Sequence, residues 1–150
     1  MMIKKAMLAL ILTATAMTAV AAIDLSEFVR PEGTTAPVFE GDRADLVAKG
    51  EALWNDKSLS KKGKTACSSC HKGNTRMFKK TFLEPYPHKA KMPFKKGKAN
   101  TVSVEDMIQF CMIVPMKAQP FAWDSEDLAA LVAYTEDVVQ PAYIENKSKK

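Results

Sequence analysis

The sequence lacks the pairings and repeats that would make it a disulfide scaffold, a zinc site or a repeat array. Its three cysteines are an odd number, so they cannot all be joined within the chain, and no second closely spaced pair exists to complete a zinc site. No segment repeats, and none is of low complexity. No proton-transfer pair or nucleophile constellation stands beside the cysteines, which argues against hydrolytic or group-transfer chemistry. A strong excess of one charge is missing too. The formal value of +5 includes Lys4 and Lys5 of the leader, so overall charge does not speak for a nucleic-acid partner.

The N-terminus holds a long uncharged run. Lys4 and Lys5 make a short basic start, Ala6 to Val20 carry no charge, and the small residues Ala19, Val20, Ala21 and Ala22 follow. This pattern predicts a signal peptide over residues 1–22, cleaved after Ala21 or Ala22, and a periplasmic or otherwise exported protein. A retained membrane anchor is the alternative, but the threonines and small side chains between Ala6 and Ile23 favour cleavage. The remainder suffices for one domain and is too short for two.

Residues 23–41, with Pro31, Gly33, Pro37 and Gly41, read as an extended lead. Asp42 is placed to cap a helix from Arg43 to about Asn55, in which Leu46, Gly50, Leu53 and Trp54 share a face. A solvated loop over 56–64 delivers the chain to Cys67. The stretch from Gly73 to Asn100 contains Pro85, Pro87 and Pro93 with no sustained period, and reads as a long loop that must pack on something. Its apolar residues Met77, Phe78, Phe82, Leu83, Tyr86, Met92 and Phe94 are the expected contacts. Ser103, with Asp106 three residues on, caps a helix carrying Val104, Met107, Ile108, Cys111 and Met112 inward as far as Pro115. Asp124 or Ser125 caps the last helix, whose buried stripe is Leu128, Leu131, Val132, Tyr134 and Val138. Pro141 is expected to end it and leave residues 141–150 as a polar tail.

Within this framework lies Cys67-Ser68-Ser69-Cys70-His71. Two thiols three residues apart can each add to one haem vinyl group, while the next imidazole reaches the iron from the same turn. A thioredoxin-like pair would open a helix after a strand, and a zinc site would need a second ligand pair; neither context is present. One covalent haem c is the cofactor this motif predicts, with Cys67 and Cys70 as attachment points and His71 as proximal axial ligand.

On these residues the chain resembles the class I c-type cytochromes. Gly50 and Trp54 look like the glycine and aromatic of that family's first helix, and Leu131 with Tyr134 like the leucine and aromatic of its last. The resemblance covers about residues 42–140 and implies an all-α fold of helices and loops wrapped around one haem, in which those two helices cross where the glycine allows close approach. The spacer from Asn55 to Ala66 is longer than the family minimum.

The candidates for the sixth iron ligand are Cys111, Met116 and the one remaining histidine, His88, and the choice lies mainly between the first two. Met116 follows the break at Pro115 and precedes the last helix, where the class I family places its axial methionine; a methionine that merely fills core space is the alternative. Met77, Met92 and Met112 are weaker claimants. The segment from Cys111 to Met116, with Pro120-Phe121 and Asp124-Ser125 beyond it, is similar to the cysteine-bearing segment of thiosulfate-oxidising cytochromes, which implies His/Cys ligation. A buried inert thiol is the competing account of Cys111. Cys111 is favoured because iron ligation explains an odd cysteine in an exported chain. His88, between Pro87 and a lysine-rich stretch, reads as a solvated loop histidine.

The function this predicts is a one-electron carrier. Lys72 to Lys98 holds nine basic residues against the single acid Glu84, a basic face suited to a redox partner with an acidic patch. Two alternatives stand beside it: a haem subunit of a sulfur- or nitrogen-compound oxidoreductase, working in a hetero-oligomer, and a haem binder of small gases. A carrier is favoured over a catalyst, since such catalysts generally need more than one haem. No nucleic acid and no membrane anchor after signal cleavage are expected.

Overall fold

The computed structural model describes residues 30, 39–91 and 99–149. The expected signal peptide, most of the lead, and the contacts assigned to Met92 and Phe94 lie outside the described residues. Helix α1 (Arg43–Asn55) starts where the sequence indicates. The Asp42 carboxylate accepts from the backbone N–H groups of Ala44 and Asp45, and Leu46, Gly50 and Trp54 are its buried positions. Such a cap contributes about 1 kcal/mol. Asp56 ends α1 and caps a 3-10 turn at Lys57–Leu59.

The haem-motif turn is α2 (Cys67–Cys70). Helix α3 (Val104–Ile113) opens on the reciprocal pair read from the sequence: Ser103 Oγ accepts from the Asp106 N–H, and the Asp106 carboxylate accepts from the Ser103 N–H. Helix α4 (Glu126–Tyr134) is capped by Ser125. It lies across α1, where Gly50 meets the backbone of Ala130 so closely that no side chain would fit. Buried Ala129, Ala130 and Ala133 keep the α4 side of the crossing equally thin. Ion pairs from Arg43 to Glu136 and Asp137, and from Lys49 to Glu126 and Asp127, flank it. Being exposed, they add little stability.

The domain is helical, as expected, with two departures. The first is that Pro141 does not end the last helix. A π turn at Thr135–Val139 leads into α5 (Gln140–Ser148), with Pro141 in its first turn. The Gln140 N–H bonds back to the Thr135 carbonyl, and the Thr135 hydroxyl donates to the Leu131 carbonyl. This wider turn makes room for a residue that has no N–H and would crowd an ordinary helix. Tyr134 and Val139, five apart, are buried, whereas Val138 is only half-buried. The expected polar tail is therefore helical through Ser148 and packs inward at Tyr143, which is 3% exposed, while just before it the Gln140 amide donates to the carbonyls of Phe82 (3.1 Å) and Glu84 (2.7 Å).

The second departure is in the long loop. It contains 3-10 turns at Lys72–Asn74 and Lys80–Leu83, then a short antiparallel ribbon of β1 (His88–Lys91) and β2 (Ala99–Val102), pairing His88 with Val102. Four-residue strands are too short for a reliable alternation signal, and their pairing is a non-local event.

Candidate functional site

The residues singled out by sequence meet around one cavity of about 440 Å³. Its walls come from the end of α1 (Trp54), from α2 and His71, from the Phe78–Tyr86 segment, from α3, and from Met116.

The motif turn is held tightly. Ser69 Oγ accepts from the Ala66 N–H at 2.9 Å, and the His71 N–H donates to the Cys67 carbonyl at 3.0 Å. Gly73 (φ 59°) and Asn74 (φ 54°) then reverse the chain in the left-handed region, a conformation glycine and asparagine accept more readily than other residues. The reversal brings the Arg76 carbonyl to 3.1 Å from His71 Nδ1. Since a carbonyl can only accept, Nδ1 carries the proton and Nε2 keeps its lone pair free. Burial pulls the His71 pKa below its ordinary value, against the smaller opposing effect of that carbonyl. The imidazole is thus neutral at pH 7, as a metal ligand must be.

Aromatic rings form much of the wall. Phe78 stacks on His71 at 4.1 Å and on Phe82 at 4.2 Å, and Tyr143 backs both phenylalanines. Trp54 packs between His71 and Tyr134. Of the apolar contacts expected from the long loop, Met77, Phe78, Phe82 and Tyr86 line the cavity, while Leu83 faces solvent. Leu83 departs because its 3-10 turn buries Phe82 and swings the next side chain outward.

Both sulfur candidates reach this cavity. Burial pushes the Cys111 thiol up to about 11, with Cys70 nearby adding to the effect, and the Cys67 thiol up to about 12, with Cys111 adding. Without a metal, these thiols are protonated at neutral pH. Met116 is 5% exposed and packs with Met112 and Ala118. Its N–H donates to the Cys111 carbonyl at 3.2 Å, so the two candidates sit on one wall.

His88 is not the solvated histidine expected. It is 7% exposed, stacked on Tyr86 at 3.8 Å, with Nε2 bonded to the Glu84 carbonyl at 2.7 Å. Pairing of β1 with β2 buries it, and no local feature of the sequence announces that pairing. The sequence does not announce the roles of Gln140 and Tyr143, because Pro141 reads as a helix stop.

No group of three His, Cys, Asp or Glu side chains among the described residues is close enough to cage a bare metal ion. The cavity does suit a haem. It is apolar, it presents a neutral imidazole, and the Trp54 indole N–H on its wall is buried with no hydrogen-bond partner, a donor left for an acceptor within the cavity. A family model for the cytochrome c domain of SoxA/TsdA matches residues 49–140. The chain belongs to this family. It is a class I c-type cytochrome with a haem electron-transfer role, and the likeness to thiosulfate-oxidising cytochromes holds. No curated protein and no solved structure shows significant similarity to it. The matched span of this cytochrome c domain runs from within α1 to Gln140 and takes in every cavity-lining residue. None of the described helices is long and apolar enough to cross a membrane.

Proposed function

We propose that the chain is an exported, periplasmic monohaem cytochrome passing single electrons between redox partners. Cys67 and Cys70 would hold haem c covalently, and His71 and Cys111, rather than Met116, would ligate its iron. The observation that carries this reading is the convergence of Cys67, Cys70 and His71 on a single apolar cavity that Cys111, Met116 and His88 also line; Cys111 is chosen because iron ligation accounts for an odd cysteine in an exported chain. When bound, the haem supplies the one-electron redox change. The chain's residues do the rest. Arg76 fixes the His71 tautomer and ring direction, as an outer partner of a ligand does. Cys111 gives up its proton on binding a metal, and its thiolate charge favours the oxidised state. The stacked rings of Phe78 and Phe82 keep water from the proximal side.

Partner docking is supported by the mouth of the cavity. Met77, 73% exposed, and Lys79 line it, and Lys72, Arg76 and Lys80 are exposed beside them in the chain. A basic rim around an apolar tip suits a partner with an acidic patch. Haem staining of a denaturing gel tests the attachment: the wild type keeps its colour, and the Cys67→Ala, Cys70→Ala protein loses it. Haem that extracts fully from the wild type into acid acetone would overturn covalent binding.

The family match favours a second reading, a haem subunit of a sulfur-compound oxidoreductase. Anaerobic mixing with thiosulfate and an excess of ferricyanide as electron acceptor tests for the enzyme, and mixing with thiosulfate alone tests whether it reduces the iron. Rapid, repeated turnover would mark the enzyme, whereas a ferric protein that thiosulfate leaves oxidised but a redox partner reduces is a carrier.

A further inference from the structure

Gln109 lies on α3 two residues before Cys111 and is 0% exposed. A buried amide costs free energy unless it is fully bonded, and an apolar side chain of that size would avoid the cost. Gln109 satisfies its amide on one residue: Nε2 donates to the Phe121 carbonyl at 2.7 Å, and Oε1 accepts the Phe121 N–H at 2.9 Å. Two opposed bonds fix both the distance and the rotation of Phe121 relative to α3, which a single bond would not.

The segment so clamped, Val114 to Phe121, is the one that carries Met116. At its near end the Met116 N–H donates to the Cys111 carbonyl and the Ala118 N–H to the Met112 carbonyl at 2.9 Å, with Lys117 between them in the left-handed region (φ 52°). From outside, the long spacer before Cys67 braces it. The Lys61 N–H donates to the Met116 carbonyl at 3.1 Å, and Leu59 packs on Met112, Met116 and Ala118. Buried Ser60 ties that spacer together, donating to Lys57 and accepting from the N–H groups of Lys64 and Thr65.

We infer that Gln109 is a positioning residue that keeps this segment closed over the sulfur-bearing wall of the cavity, and so limits replacement of the axial sulfur by external ligands. The inference rests on the reading that Cys111 or Met116 is an axial ligand. An incoming ligand must displace a sulfur from the wall that this segment forms with α3, so its affinity reports on how firmly Gln109 joins the two, whereas a role in stability alone would leave that affinity unchanged.

The test is an optical titration of the ferric holoprotein with imidazole. Gln109→Leu is expected to raise imidazole affinity roughly tenfold or more, the equivalent of about one net hydrogen bond. Wild-type affinity in the folded variant overturns the proposal. Should Gln109→Leu fail to fold, Gln109→Met replaces it: a near-isosteric side chain that can make neither bond to Phe121. Its imidazole affinity should likewise exceed that of wild type, and a wild-type affinity overturns the proposal. Cys111→Ser and Met116→Leu separate the two layers. If one of them alters the ferric spectrum while the Gln109 variants bind imidazole like wild type, the positioning role alone falls. If neither alters it, the axial reading falls and the positioning role with it.

Discussion

Gly50 passes so close to Tyr134 that a Cβ built on it would stand 2.6 Å from the Tyr134 Cβ, and closer still to the Ala130 carbonyl oxygen. Backbone cannot retreat as a flexible side-chain end can, so Gly50→Ala must push α1 off α4. The expected cost is about 1–3 kcal/mol, typical of overpacking, read as a lower denaturation midpoint of the holoprotein. Trp54, one turn further along α1, touches His71, so the haem spectrum should shift as well. An unchanged midpoint would mean that the helices are not held at this crossing.

The axial candidates give opposed outcomes. With Cys111 on the iron, Cys111→Ser should change the ferric spectrum and raise the midpoint potential, since a charged donor is lost from the oxidised state. Met116→Leu should then leave both nearly intact, at a packing cost below about 1.5 kcal/mol for a near volume-conserving swap. The reverse pattern would make Met116 the ligand and Cys111 a buried thiol.

Electron transfer with an acidic partner should slow as salt rises, because screening shortens the reach of exposed charges. Lys72→Glu with Lys80→Glu is expected to lower the association rate and leave the haem spectrum alone, both side chains being exposed and neither lining the cavity. Stopped-flow rates at several ionic strengths check this. Rates that ignore both the salt and the substitutions would put docking on another face.

α5 should matter to the haem even though Pro141 lies in its first turn. Tyr143 backs Phe78 and Phe82 at 5.2 and 5.5 Å and is almost wholly buried. Tyr143→Ala should destabilise the holoprotein by roughly 3 kcal/mol, the range for removing a large buried ring. A thermal melt decides it: a loss too small to measure would return residues 141–148 to the status of a tail.

Local chemistry was legible in the sequence wherever neighbours in the chain are also neighbours in space. Asp42, Ser103 and Ser125 cap the helices they precede, since capping involves a side chain and the next three N–H groups. Cys67, Cys70 and His71 share a turn, so their spacing alone announced the cofactor. The glycine at 50 was readable as a crossing point through its likeness to a family in which such a crossing occurs. Only the tertiary structure decided what depends on distant segments meeting. His88 is buried because β1 finds β2, Tyr143 because a π turn carries the helix past Pro141, and Gln109 is clamped to Phe121 across a loop. The physical reason is that side-chain propensity acts over one or two turns, whereas pairing, burial and hydrogen-bond satisfaction are settled between segments that the chain's own order leaves far apart.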